Sequence, residues 1–447
     1  MQILKTRKWL ETALDRQLGR LFAEGAWIVT GQALAVCGAL ASVKLLTQWL
    51  NPTQYGELSL ALTITTVVGQ VLFYPLALGI ARFYAPAVER RQLSSYLDAS
   101  STLARAATLV VSVAATAVAC VVAMAGEGRW LGLILTASLL AIVSGCAAIL
   151  TSVHNAARRR SIAALHQGID PWLRLVGAML CIRWLNTSSS AAMLGFAAAS
   201  SLVLISQYLF YRRIVPSDVP QAPASLANRR EIWNFSWPYA TSGIFALVQS
   251  GSDRWALAQF GTTTDVGLYV VVFQLGYYPI SVLTNLLVQL LAPILYQKAG
   301  DARDASRNAR VTEINRQLAF LAIVATAIVF AGFQLAHGPI FRVLAGPHYT
   351  SISYLLPWMA LSGGLFAAGQ MLSLDLMSQL KTRAMMRVKI VTGVLGLTAN
   401  FLGAYLFAIP GVVGAGVIFA AAYLAWMAVL VRTHSTRHPL SRGDEVN

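Results

Sequence analysis

Charge is scarce in this chain. Only 12% of its 447 residues are Asp, Glu, Lys or Arg, against about 25% in an ordinary soluble domain, and this excludes a water-soluble fold. Cysteine is scarce as well. Cys37, Cys120, Cys146 and Cys181 each lie in an apolar run with no CxxC spacing and no neighbouring His ligand pattern, so neither a disulfide framework nor a metal site is expected. There is no phosphate-cradling Walker A motif, so neither ATP as a direct energy source nor a cofactor is expected. Acidic residues number 18 against 34 Lys and Arg. The longest outer loop, about 336–353, offers His337, Arg342 and His348 but no paired carboxylates and no nucleophile with its base. Enzyme activity, such as that of a membrane glycan polymerase or ligase, is therefore not expected.

Long hydrophobic runs are plentiful. They fall at about 25–49, 57–80, 106–126, 130–152, 163–184, 191–211, 235–258, 267–296, 317–336, 354–378, 388–408 and 411–431. Each can cross about 30 Å of hydrocarbon as a helix. Twelve spans define an all-α polytopic membrane protein. With the N-terminus placed in the cytoplasm, nearly all Lys and Arg fall on the cytoplasmic side; Arg129 and Arg342 are the outer-loop exceptions and Lys44, Arg174, Arg183 and Arg254 lie within spans. That asymmetry puts both termini in the cytoplasm. It also makes the formal charge of +16 a matter of topology and of affinity for anionic membrane lipid, not of nucleic-acid binding.

The first apolar run is too long for a cleavable signal. Before it, Leu10, Leu14, Leu18 and Leu21 recur at helical spacing opposite Lys5, Lys8, Arg16 and Arg20, the pattern of a helix lying in the cytoplasmic interface over 1–24. Pro216, Pro220 and Pro223 mark a linker over 216–233. The remaining expected divisions are an N-lobe over 25–215, a C-lobe over 234–432 and a cytoplasmic tail over 433–447. The two halves echo each other. Asn51-Pro52-Thr53-Gln54-Tyr55-Gly56 leaves span 1 as Thr262-Thr263-Thr264-Asp265-Val266-Gly267 leaves span 7, and Lys44 precedes its glycine at almost the spacing at which Arg254 precedes its own. Such parallel repeats of six helices build transporters around a midplane site.

The stretches Leu45–Tyr84, Phe235–Pro293 and the C-terminal FRVLAGPHY and PGVVGAGVIFAAAYL segments resemble the polysaccharide-exporter branch, including O-antigen flippases, of the multidrug, oligosaccharidyl-lipid and polysaccharide exporter superfamily. The resemblance implies two six-helix lobes around a central cavity that opens alternately to the two faces. It implies as cargo an undecaprenyl-pyrophosphate-linked oligosaccharide, turned from the cytoplasmic to the periplasmic leaflet of the bacterial inner membrane. It also suggests a polysaccharide polymerase and a chain-length regulator as partners. The alternative in the same superfamily is a multidrug antiporter of organic cations.

Charges inside a span are costly and mark cavities or partners. Candidate cavity residues are Lys44, Arg174, Gln249, Asp253 and Arg254, with the cations suited to a diphosphate. Candidates for ion coupling are Asp170, Asp253 and Asp375. Two of these readings stay open: Lys44 also has the reach to snorkel to the interface, and Asp170 with Arg174, spaced i,i+4, also fits a self-contained ion pair. Asp375 lies near the cytoplasmic end of its span, where hydration is cheap, and Arg183 beside Trp184 reads as an interfacial anchor. Pro75, Pro238 and Pro279 are candidate hinges, and Phe73-Tyr74-Pro75 has a counterpart in Tyr277-Tyr278-Pro279.

Overall fold

The helices are long because lipid satisfies no backbone group, so each crossing must close its own hydrogen bonds. A computed structural model describes residues 2–213, 226–300, 304–379 and 381–436. Its thirteen α-helices are α1 (Gln2–Trp49), α2 (Pro52–Val68), α3 (Tyr74–Glu89), α4 (Leu93–Met124), α5 (Leu131–Ala156), α6 (Arg160–Trp184), α7 (Ser189–Arg212), α8 (Leu226–Phe260), α9 (Thr263–Gly276), α10 (Tyr278–Ala299), α11 (Ala305–Leu344), α12 (Leu356–Ser378) and α13 (Thr382–Thr436). No strand is present among the described residues.

Among the described residues, nine helical stretches are long and apolar enough to cross a membrane. The twelve expected spans are recovered once three features are added. Both α6 and α8 are long enough but too polar for that set, and α13 is two spans joined at Ala408, which takes a positive φ of 49° just before Pro410. Span 2 is α2 and α3 joined through a π-helical turn at Gly69–Phe73, and span 8 is α9 and α10 broken at Tyr277. Pro75 and Pro279 occupy the first turns of α3 and α10, where a missing N–H costs nothing. The two matching Pro motifs thus sit at the breaks in spans 2 and 8. By contrast, Pro238 lies inside the continuous α8.

Two differences from the hydropathy reading stand out. The stretch 336–353 is mostly helical, because α11 runs on to Leu344 through Gly338-Pro339 and a 3-10 segment covers Pro347–Leu355. Its His337 Nδ1 pairs with Ser353 Oγ at 3.0 Å. Residues 2–24 are the first part of α1, while the side chains of 1–24 and the prolines of the 216–233 linker lie outside the described residues.

The contacts divide the chain into two units, one of 1–42 with 61–244 and one of 43–60 with 245–447. The division falls inside α8 and assigns the C-terminal end of α1 and the start of α2 to the second unit. In the first unit Phe73, Ile80, Tyr96, Ile149, Val153 and Ile232 form the core, and Gly145 is there because any Cβ would strike the Phe73 ring. Small residues also bring α1 and α6 together: a Cβ on Gly31 would collide with the Ala164 carbonyl, and Trp172 Nε1 donates to the Leu34 carbonyl at 2.9 Å. Gly177 of α6 and Gly195 of α7 face each other backbone to backbone, the close approach by which membrane helices gain dispersion energy. In the second unit Leu295, Val311, Met371, Leu376, Tyr423 and Met427 form the core.

Candidate functional site

The two span-length helices outside the apolar set, α6 and α8, each carry an Asp and an Arg in the interior of the span. A polar spanning helix needs water or polar partners along its length, and α6 and α8 find polar partners on neighbouring helices. On α6, Arg174 Nε lies 2.8 Å from Asp170 Oδ2, with about a quarter of each side chain exposed (26% and 23%). Ser200 of α7 donates to Asp170 Oδ1 at 3.2 Å, and Arg174 Nη2 donates to Ser144 Oγ of α5 at 3.1 Å. The i,i+4 pairing anticipated from spacing is therefore made. The hydroxyls of Ser144 and Ser200, which complete it from two other helices, carried no signal in the sequence.

On α8, Asp253 is 8% exposed. It accepts from the Tyr269 hydroxyl of α9 at 2.6 Å and from the Arg254 main-chain N–H at 2.8 Å. Asn400 of α13 donates to Ser252 Oγ at 2.9 Å. Arg254 turns to another side, with its guanidinium 5.2 Å from the centre of the Phe273 ring, a cation–π distance. Phe273 in turn stacks on Tyr277 at 4.9 Å. The side chain of Gln249 lies outside the described residues.

Tyr269 and Asp253 form a buried pair, so removing one partner leaves the other unsatisfied. Asp253→Leu leaves the Tyr269 hydroxyl without its acceptor, and we expect a stability loss of about 1–3 kcal/mol, whereas Asp253→Asn keeps an acceptor and costs less. Thermal unfolding of the purified variants in detergent measures the difference. Equal midpoints for the two variants would contradict this role.

Lys44 is held by main-chain carbonyls. Its Nζ donates to the carbonyls of Arg342 and Ala345 at 3.1 Å each, at the C-terminal end of α11. Asp375 also differs from expectation, being only 2% exposed in spite of its position near the helix end. Burial is sustained because Thr312 Oγ1 and Gln379 Nε2 both donate to its Oδ1 at 2.9 Å. Just beyond the span, Lys381 donates to Gln379 Oε1 at 2.8 Å. Burial pulls the Lys381 ammonium below the usual lysine range, with the Asp375 carboxylate opposing the shift. Arg183 and Trp184 are exposed at the end of α6, as an interfacial anchor requires.

A profile of the family described as "Polysaccharide biosynthesis protein" matches residues 21–299. The chain belongs to that family. Solved structures add the fold. A lipid II flippase MurJ in an inward closed conformation is similar with a TM-score of 0.71 at 12% identity, over 92% of this chain and 87% of that one. A multidrug resistance MATE family transporter of the MOP superfamily, inward-facing, gives 0.61 at 14%, over 92% and 96%. A MATE transporter of Vibrio cholerae gives 0.56 at 13%, over 96% and 99%. A search of curated protein sequences found no match. The family member described here is thus a multi-pass, all-helical membrane protein with twelve spans in the two-lobe fold these transporters share.

Proposed function

We propose that this protein is a flippase that moves undecaprenyl-pyrophosphate-linked oligosaccharide repeat units from the cytoplasmic to the periplasmic leaflet of a bacterial inner membrane. The units feed assembly of a surface polysaccharide, whether O-antigen, capsule or exopolysaccharide, and transport proceeds by alternating access with both termini cytoplasmic. The observation that carries this reading is the placement of Arg174 and Arg254 on α6 and α8, the two spans too polar for lipid, in a polysaccharide biosynthesis family member. A diphosphate cannot cross hydrocarbon bare, and guanidinium groups bind it through charge-assisted hydrogen bonds. Asp170 and Asp253, each within the same clusters, are the acids we assign to ion coupling; Asp375, enclosed by Thr312 and Gln379, is a third. Anionic lipid on the cytoplasmic face, a polymerase and a chain-length regulator complete the expected partners.

A deletion strain tests the reading with two assays on the same cells, surface polysaccharide and lipid-linked oligosaccharide in extracted membranes. Loss of the polymer with accumulation of repeat units shielded in the inner leaflet is the expected result. Normal levels of both, with increased sensitivity to cationic dyes, would instead support the multidrug antiporter.

A further inference from the structure

Asp253 and Arg254 are adjacent in sequence but meet different residues of α9. Tyr269, Phe273 and Tyr277 recur every fourth residue and so form one aromatic row along α9 and its C-terminal end. The Tyr269 and Phe273 rings are 6.3 Å apart, and those of Phe273 and Tyr277 4.9 Å. The first ring of the row serves the acid: the Tyr269 hydroxyl donates to Asp253 Oδ2 at 2.6 Å, and the Arg254 main-chain N–H donates to Oδ1 at 2.8 Å. The second serves the base, whose guanidinium lies 5.2 Å from the centre of the Phe273 ring. The third backs the second. Tyr277 rests on Phe366 of α12 at 6.4 Å, and Gly363 gives it room, since a Cβ there would stand 3.3 Å from the Tyr277 ring.

The row also sets the direction in which Arg254 reaches. Side chains on a helix lean toward its N-terminus, and Phe273 lies one turn beyond Tyr269, farther from the turn that joins α8 to α9. The guanidinium is therefore drawn toward the middle of the span. The competing position lies the other way. Arg254 is six residues from the end of α8 at Phe260, about 9 Å along the axis, and a long cationic side chain gains hydration by snorkelling to such an interface. A cation–π contact uses the flat face of a guanidinium, whereas its planar N–H fork is the edge that grips a phosphate. Arg254 and Phe273 are both half-buried, so neither is sealed from a ligand.

We propose that Phe273, braced by Tyr277, is a positioning residue that holds Arg254 toward the middle of the membrane and presents its N–H fork to the diphosphate of the cargo. Phe273 acts through Arg254 and does not itself grip the diphosphate. The proposal rests on the flippase reading for the identity of the anion, but the coupling of Arg254 to Phe273 does not.

The test follows transfer between leaflets of a fluorescent polyprenyl-diphosphate-linked oligosaccharide, at increasing mole fractions in liposomes, together with thermal unfolding of the same purified proteins. Phe273→Leu keeps apolar bulk but removes the π face. It is expected to raise the half-saturating mole fraction about three- to thirty-fold with little change in maximal rate, and Phe273→Tyr to restore most of the loss. Phe273→Met serves the same purpose should the leucine variant not fold. On an Arg254→Gln background, Phe273→Leu is expected to add nothing to half-saturation, and the two changes together should lower the unfolding midpoint by less than the sum of their separate effects. A mere packing role for Phe273 gives additive losses and the same effect of leucine on either background, and that result overturns the proposal. An unchanged half-saturation for Phe273→Leu overturns it as well. If the native protein moves no glycan lipid, the flippase reading fails and the diphosphate with it, while the unfolding measurements still judge the coupling of Arg254 to Phe273.

Discussion

Replacing Arg174 and Arg254 together by glutamine is expected to reduce surface glycan nearly to the level of a strain lacking the protein, with the protein still present in the membrane. Each guanidinium offers charge-assisted hydrogen bonds worth about 1.5–3 kcal/mol, so each single change should weaken cargo binding about ten- to a hundred-fold. Glutamine is the informative substitution at position 174, because it continues to donate toward Asp170 and Ser144 while it removes the charge. Lysine at either position keeps the charge but loses the planar fork, and should retain part of the activity. The measurement is glycan by immunoblot against protein by quantitative blot of the same membranes. Unaltered glycan in the double variant would remove both arginines from the transport path.

Gly267→Leu is expected to have a comparable effect by a different route. The new side chain cannot coexist with the Pro52 carbonyl oxygen, and backbone, unlike a flexible side-chain tip, does not yield cheaply. Residues 43–60 can then no longer pack within the second unit as they do, so export should fail. Gly56→Leu should behave alike, since a Cβ there would strike the Thr263 carbonyl oxygen in turn. Gly332→Leu supplies the control, because a Cβ at Gly332 meets nothing within 4 Å, and it should leave export near normal. Normal export from Gly267→Leu would contradict the importance of this close backbone approach.

Much of the fold was legible in the sequence because lipid imposes a strong constraint. Each span needs its run of apolar residues, and Lys and Arg are biased to one side. Span 9 shows where that signal fails. Gly338-Pro339 looked like a loop, yet α11 continues through it, since membrane helices tolerate such residues when neighbours satisfy the backbone. At the candidate site, the Asp170–Arg174 pair was readable because i,i+4 geometry is local. Lys44 was not. Its depth matches that of Arg254, but depth says nothing of direction around the helix axis, and its partners at Arg342 and Ala345 are some 300 residues away in sequence. The hydrogen bond between the Thr53 and Thr264 hydroxyls, at 2.8 Å, did have a local signal, as both threonines hold the same offset from their glycines, Gly56 and Gly267.

A buried polar seam in the first unit went unread for the same reason. His154 Nε2 pairs with the Gln207 carbonyl at 3.2 Å, and His166 Nε2 with Ser206 Oγ at 3.0 Å. Two histidines thus converge from α5 and α6 on adjacent residues of α7. Nothing in hydropathy distinguishes them from solvated loop histidines. Asp375 was misjudged in a related way: proximity to a helix end suggested hydration, but packing of α12 against α11 encloses it.

The account is tested most directly by purified protein reconstituted in liposomes containing a fluorescent polyprenyl-diphosphate-linked oligosaccharide, with translocation followed by exposure of the glycan to an external quencher. The expected result is rapid transfer between leaflets with the native protein, little with the Arg174→Gln/Arg254→Gln variant, and no uptake of an organic cation by either. Uptake of the cation with the glycan lipid unmoved would contradict it.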